Sequence, residues 1–174
     1  KGFLKKEITD TLGKFGSILS GHPTIEVPGI EVNTGALGHG LPIGVGMALA
    51  AKMDKKSYKT FVMMGDGEQG EGSIYEAAMA GHQYKLDNLV AIIDRNHLQI
   101  SGNTEDVMAI EDISARWTAF GWDVKVMNGD DMEDIVKTID SIDYTNGKPH
   151  LIVSNTTKGK GVSYMENIAK WHHG

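Results

Sequence analysis

The stretch Phe61-Val62-Met63-Met64-Gly65-Asp66-Gly67-Glu68-Gln69-Gly70-Glu71-Gly72 decides the fold. Four apolar residues of β type run into a glycine-flanked aspartate. A polar, glycine-rich turn then leads to a helical pattern from Ser73 to Tyr84, with Ile74, Ala77, Ala78 and Ala80 on one side. The same alternation recurs outward from this stretch. Leu89-Val90-Ala91-Ile92-Ile93, Val124-Lys125-Val126-Met127 and Leu151-Ile152-Val153 read as further strands. Helical patterns cover Pro42 to Met53, Ile110 to Phe120 and Met132 to Ile142, the last with Asp130 and Asp131 at the capping position. The second and fourth strands are continuously apolar, as strands covered on both faces are. Strands alternating with helices predict an α/β fold, a parallel sheet sandwiched by helices.

The 174 residues fit a single domain spanning 1–174, with length enough for a sizeable core. Apolar residues at 40% and charged residues at 23% argue against disorder. A net charge of −6 argues against nucleic acid or an anionic membrane as the main partner. No apolar run approaches the length of a membrane span, and no signal-peptide pattern opens the chain. The absence of cysteine excludes disulfides and thiolate metal sites and fits a reducing compartment, so a cytoplasmic location is expected. The sequence begins at Lys1 without a methionine and stops at His173-Gly174, so an N-terminally incomplete domain is expected.

Parallel sheets bind ligands beyond the carboxyl ends of their strands. Three strands are followed there by polar or glycine-rich residues: Gly65 to Gly72, Asp94-Arg95-Asn96-His97-Leu98, and Thr156-Thr157-Lys158-Gly159-Lys160-Gly161. Asp66 offers a hard oxygen ligand suited to Mg²⁺ or Ca²⁺. Glycines on either side let the backbone approach a bulky anion, and the N–H groups near Gly67 can face a phosphate. A second ligand is expected from a neighbouring strand end, and Asn96 follows Asp66 by about 30 residues, the length of one strand-helix-strand unit. Asp-Gly after a strand is also ordinary turn chemistry; the spacing to Asn96 and the two strand contexts favour the metal. No Gly-x-x-x-x-Gly-Lys-Ser/Thr loop is present.

Gly65-Asp66-Gly67 running to Asn96 resembles the thiamine-diphosphate motif. Within that superfamily the chain resembles transketolases, especially the N-terminal subunits of split transketolases. Gly21-His22-Pro23, the run from Gly29 to Pro42, Glu71-Gly72, the run from Tyr84 to Ile92 and Lys158 to Ser163 carry the resemblance through nearly the whole chain. It implies a subunit that binds thiamine diphosphate and Mg²⁺, with Ca²⁺ or Mn²⁺ as substitutes, for two-carbon ketol transfer between a ketose phosphate and an aldose phosphate. The alternatives are another thiamine-diphosphate enzyme component, of deoxyxylulose-phosphate synthase or 2-oxoacid dehydrogenase type, and a non-catalytic cofactor-binding regulatory subunit. Asp66 and Asn96 are implied to hold the metal by side chain and Leu98 by its backbone carbonyl. Gly65 and Gly67 are implied at the diphosphate, Gly35 and Leu37 in the cofactor cleft, and Ile100 against the cofactor rings. Glu71 is implied as the carboxylate linking paired sites, His22 as a contact to substrate hydroxyls, and His173 as a reach to diphosphate and substrate. A C-terminal subunit with a pyrimidine-binding domain is the implied partner, in a heterotetramer.

Taken by themselves, Leu37 and Ile100 equally suit core positions, Glu71 a first-turn acid favoured by the helix dipole, and His22 a surface turn. Lys158 and Lys160 are either solvated or phosphate-attracting. The sequence also departs from the family. Asn155-Thr156 stands where Lys-Thr is common, His39 replaces a commoner glutamine, and a further histidine motif in a Ser-Lys-Gly-His context is absent.

Overall fold

The computed structural model describes residues 2–172, in two compact units that divide between Leu37 and Gly38. The first unit is mostly turns, with one short helix, α1 (Lys6–Thr9). Its later part is a loop whose two arms are tied together. Thr34 donates its N–H to the Pro23 carbonyl at 3.0 Å, and Ile25 N–H donates to Asn33 Oδ1 at 2.9 Å. That pairing sets His22-Pro23 beside Thr34-Gly35.

The second unit runs α2 (Gly40–Met53), β1 (Thr60–Gly65), α3 (Gly72–Gln83), β2 (Leu89–Arg95), β3 (Leu98–Gln99), β4 (Gly102–Asn103), α4 (Thr104–Val107), α5 (Ile113–Ala119), β5 (Asp123–Asn128), α6 (Met132–Asp140) and β6 (His150–Asn155). Four strands form a parallel sheet in the order β1-β2-β6-β5, and β3 and β4 make a small antiparallel ribbon. The register pairs Gly65 with Asp94 and Arg95 with Asn155, so the polar segments that follow β1, β2 and β6 leave the sheet along one edge.

The period-2 alternation of each strand sorts its side chains to two layers. Val62, Met64, Leu89, Ala91, Ile93, Leu151 and Val153 pack with α2, α3 and α5, around the fully buried Trp117. Val90, Ile92, Met127 and Ile152 pack with Ile135 and Ile139 of α6. Central strands β2 and β6 are therefore buried on both faces, as their unbroken apolar runs predict. At the edge, β1 is buried on one face only, and Phe61 and Met63 stay exposed.

Small residues let the helices sit close to the sheet. A Cβ on Gly44 of α2 would collide with Val62 Cγ2, and one on Gly81 of α3 would lie 2.9 Å from Trp122 Cζ2. Trp122 in turn donates its indole N–H to the Ala78 carbonyl at 2.9 Å, so the ring is buried with its polar atom satisfied.

Helix bounds follow the sequence expectation within a few residues. The largest difference is α5, which starts at Ile113 rather than Ile110. Asp112 is extended and its side chain accepts from Ala115 N–H at 3.1 Å, so the helix is capped three residues later. Ahead of α6 only Asp131 caps, accepting from Glu133 N–H at 3.0 Å. Asp130 faces the β6 end instead and accepts from the Thr157 N–H and hydroxyl. Among the described residues no helix is long and apolar enough to cross a membrane.

Candidate functional site

Asp66 leaves the end of β1 and caps a short 3₁₀ turn, Gly67–Gly70. Its carboxylate is 1% exposed. Oδ1 accepts from Gly67 N–H at 2.7 Å, while Oδ2 accepts from His97 N–H at 2.7 Å and from Arg95 Nη1 at 3.0 Å. The bond to His97 ties the end of β1 to the turn after β2. There Asn96, 5% exposed, accepts from Leu98 N–H at Oδ1 and donates to Asp94 from Nδ2. His97 occupies the left-handed region at φ 64°, an uncommon conformation that histidine tolerates better than most residues. That kink turns the His97 N–H onto Asp66 and carries the chain from β2 into the β3–β4 ribbon.

The two side chains expected to clamp a cation are thus adjacent, buried and held by backbone donors. A carboxylate oxygen offers about two acceptor sites, so the Gly67 bond leaves Oδ1 able to meet a cation, as the Leu98 bond leaves Asn96 Oδ1. One carboxylate, one amide and a nearby main-chain carbonyl are the hard oxygen set that Mg²⁺ accepts in small number, the rest coming from phosphate and water. The donor set therefore fits the metal.

Backbone approach also fits an anion. Gly65 has nothing within 4 Å of where a Cβ would stand, whereas Gly67 is covered by Gln99, whose Cβ would lie 2.8 Å from such an atom. The Gly67 N–H is given to Asp66, so a bound diphosphate would have to take over or share that bond.

Arg95 carries the charge of this site, and sequence reasoning assigned it no role. Its guanidinium is 2% exposed and reaches Asp66 through Nη1, Glu111 through Nε and Nη2 at 3.0 and 2.7 Å, and Glu105 through Nη2 at 2.7 Å. Burial alone would lower its pKa; the hydrogen bonds and charges of Asp66 and Glu111 more than offset that, and the net shift is upward. A visible signal was available: an arginine at the end of a strand that opens on five apolar residues must find buried partners, and glutamates follow at 105 and 111.

Glu68 was missed as well. Oε1 accepts from Gly38 N–H at 2.8 Å and Oε2 from Gly65 N–H at 3.1 Å, so one carboxylate pins two glycines from distant parts of the unit. Gly38 has φ 78°, and a Cβ there would fall 2.6 Å from Glu71 Cβ. Only glycine fits that crossing. Ser73 completes the join by donating to the Gly38 carbonyl at 2.8 Å.

The remaining expected residues are placed as follows. Glu71 is exposed at the N-cap of α3 and makes no capping hydrogen bond with its side chain. Ile100 is exposed beyond β3, at the tip of the ribbon. Within the first unit, the His22 ring packs on Gly35: φ there is 115°, and a Cβ would lie 2.7 Å from His22 Cδ2. Leu37, in the same unit, is exposed. His173 lies outside the described residues. At the β6 end, Thr156 bonds Asp94 through its hydroxyl, and Lys160, which is exposed, pairs with Asp130 at 3.6 Å.

The family model "Transketolase, thiamine diphosphate binding domain" matches residues 4–174. The chain belongs to the transketolase family. It is 80% identical over 174 residues to one subunit of the apulose-4-phosphate transketolase of Phocaeicola vulgatus, covering all of this chain and 62% of that relative. It is 39% identical over 174 residues to the 6-deoxy-6-sulfo-D-fructose transketolase subunit SqwG of a Clostridium species, covering 99% of this chain and 63% of that relative. Among solved structures it resembles the transketolase of Campylobacter jejuni at a TM-score of 0.90 and 34% identity, over 95% of this chain and 27% of that one. The chain thus spans under two thirds of the length of the curated relatives it matches. The parallel sheet with helices on both faces is the fold of this transketolase domain, as expected from the sequence.

Proposed function

We propose that this chain forms the diphosphate- and magnesium-anchoring part of the N-terminal subunit of a split transketolase, whose site a partner subunit completes. The observation that supports it best is the 2.7 Å bond from His97 N–H to Asp66 Oδ2, which holds the carboxylate at one strand end beside the Asn96 amide at the next. Asp66 and Asn96 bind Mg²⁺ through side-chain oxygens and Leu98 through its carbonyl, with Mn²⁺ or Ca²⁺ able to substitute. Gly65 and Gly67 let the diphosphate approach the backbone, and Gly35, Leu37 and Ile100 border the cofactor rings. His22 and His173 contact substrate oxygens, and Glu71 links paired sites across the assembly. Thiamine diphosphate, when bound, supplies the carbanion chemistry at its thiazolium.

No residue of this chain is assigned to activate the aminopyrimidine. That task falls to a glutamate on a pyrimidine-binding domain of the partner, in a heterotetramer of two copies of each subunit. The reaction moves a two-carbon ketol unit from a ketose phosphate to an aldose phosphate. Apulose 4-phosphate, named in the 80% identical relative, is the first ketose phosphate to test.

The test is a calorimetric titration of thiamine diphosphate into the full-length protein, with and without the partner and with and without Mg²⁺, followed by ketol-transfer assays. Mg²⁺-dependent binding and partner-dependent turnover are expected. Full turnover by the protein without a partner would overturn the split site, and Mg²⁺-independent binding would overturn the metal role.

A further inference from the structure

Buried Arg95 sits at the centre of a charge cluster that runs from buried Asp66 at the β1 end to the partly exposed Glu105 and Glu111 between β4 and α5. Three carboxylates, those of Asp66, Glu105 and Glu111, surround one guanidinium and leave a formal charge of −2, which suits a divalent cation. The guanidinium is itself held in place. Glu105 Oε2 accepts from Ile110 N–H at 3.2 Å, and Glu111 Oε2 accepts from Ile113 N–H at 3.2 Å, so both glutamates are anchored to the backbone beyond β4. Arg95 spends Nε and Nη2 on them and is left with Nη1 for Asp66 Oδ2.

We infer that Arg95 is a positioning residue for the metal site: it fixes the orientation of the Asp66 carboxylate and makes cation affinity depend on the segment that carries Glu105 and Glu111. The inference rests on the metal role proposed above. Two donors on Oδ2, Arg95 Nη1 and His97 N–H, lock the carboxylate and turn Oδ1 towards the anion-binding turn at Gly67. Partners of this kind govern metal affinity because they set the direction of the ligand's lone pairs before the ion arrives. A like charge near the cation works the other way. The three carboxylates screen it, and the fork geometry, which lysine lacks, is what the position demands.

The test uses the full-length protein with its partner subunit and reads Mg²⁺ alone as the variable, at saturating thiamine diphosphate, by calorimetry. Thermal melting without metal or cofactor is measured in parallel. Arg95→Met is expected to raise the half-saturating Mg²⁺ by about 10–100-fold. Arg95→Lys should give a smaller rise, because it keeps the charge and loses the fork. Glu111→Gln, on a half-exposed side chain, should shift it in the same direction by less.

Should Arg95→Met fail to fold, the Arg95→Lys and Glu111→Gln variants carry the decision. Lower melting temperatures with an unchanged Mg²⁺ requirement in both would reduce Arg95 to a structural ion pair and overturn the inference. A tighter Mg²⁺ requirement would overturn it too, by showing that Arg95 competes with the cation. If the unaltered protein binds thiamine diphosphate equally without Mg²⁺, the metal reading itself is wrong, an outcome distinct from an Mg²⁺-dependent protein that ignores Arg95.

Discussion

The Asp66 carboxylate and the Arg95 guanidinium meet at 3.0 Å with 1% and 2% of their side chains exposed. A buried pair of this kind usually costs about 3–5 kcal/mol when one partner is removed, because the other charge is stranded. Here the guanidinium keeps Glu105 and Glu111, so it is not stranded. Asp66→Asn is therefore expected to lower metal-free stability by about 1–3 kcal/mol, the worth of a charged hydrogen bond, in urea denaturation. The same substitution should abolish Mg²⁺-dependent binding of thiamine diphosphate. A variant that still binds the cofactor with wild-type Mg²⁺ dependence would remove Asp66 from the metal set.

Glu68 gives a second prediction, independent of any ligand. Its two oxygens hold the N–H groups of Gly38 and Gly65, and neither glycine has a side chain to substitute for the contact. Glu68→Ala removes both acceptors at once, a loss of about 1–3 kcal/mol locally. Hydrogen exchange at these two amides should quicken by about ten- to a hundredfold, while the amides of β2 and β6 keep their protection. Uniform acceleration across the sheet would mean that Glu68 supports the whole unit rather than this one junction.

The layout of the unit was legible because its strands are largely apolar runs ended by glycine or polar residues, a signal local to each segment. The strands of the parallel sheet fall where those runs predict, and the placing of Asp66 and Asn96 at neighbouring strand ends follows from strand context and spacing. That Arg95 needs buried partners was legible, but not which residues supply them, and Glu68 gave no signal, for a physical reason. Their partners lie 29, 10 and 16 residues away for Arg95, and 30 residues away for the Glu68–Gly38 bond, and no periodicity links them. Such contacts exist only after the sheet brings the strand ends together. The start of α5 differs for a smaller reason: Ile110 is buried and fits the helical pattern, yet it belongs to the non-helical segment that delivers Glu111 to Arg95. Loop residues such as Ile100 and Leu37 came from the resemblance alone, and their exposure here gives no core role to compete with it.

Close packing of α2 on β1 yields a paired test. A methyl at Gly44 would collide with Val62 Cγ2, within the buried layer, whereas Gly46 has nothing within 4 Å of the same position. Gly44→Ala should destabilise by about 1–3 kcal/mol through overpacking. Gly46→Ala should stabilise by up to about 1 kcal/mol, since alanine is the better helix former and nothing obstructs it. Opposite signs in chemical denaturation are the expected result. Equal effects would mean that helix propensity, not the Val62 contact, decides both.

The Asp130–Thr157 junction carries a pH prediction. The Thr157 hydroxyl, chiefly, with its N–H and the Lys160 charge, holds the Asp130 carboxyl below the usual carboxylate range. A depressed folded-state pKa adds stability above the ordinary value near 4, and that contribution is lost as the pH falls through the lower, folded value. The junction should therefore persist through the pH range in which free aspartates protonate. Thr157→Val removes the hydroxyl but leaves the backbone N–H, so the Asp130 midpoint should rise towards the ordinary value without reaching it. Carboxyl-carbon NMR titration reads this directly. An Asp130 midpoint unmoved by the substitution would leave the depression to the Thr157 N–H and Lys160, and Lys160→Met then separates those two.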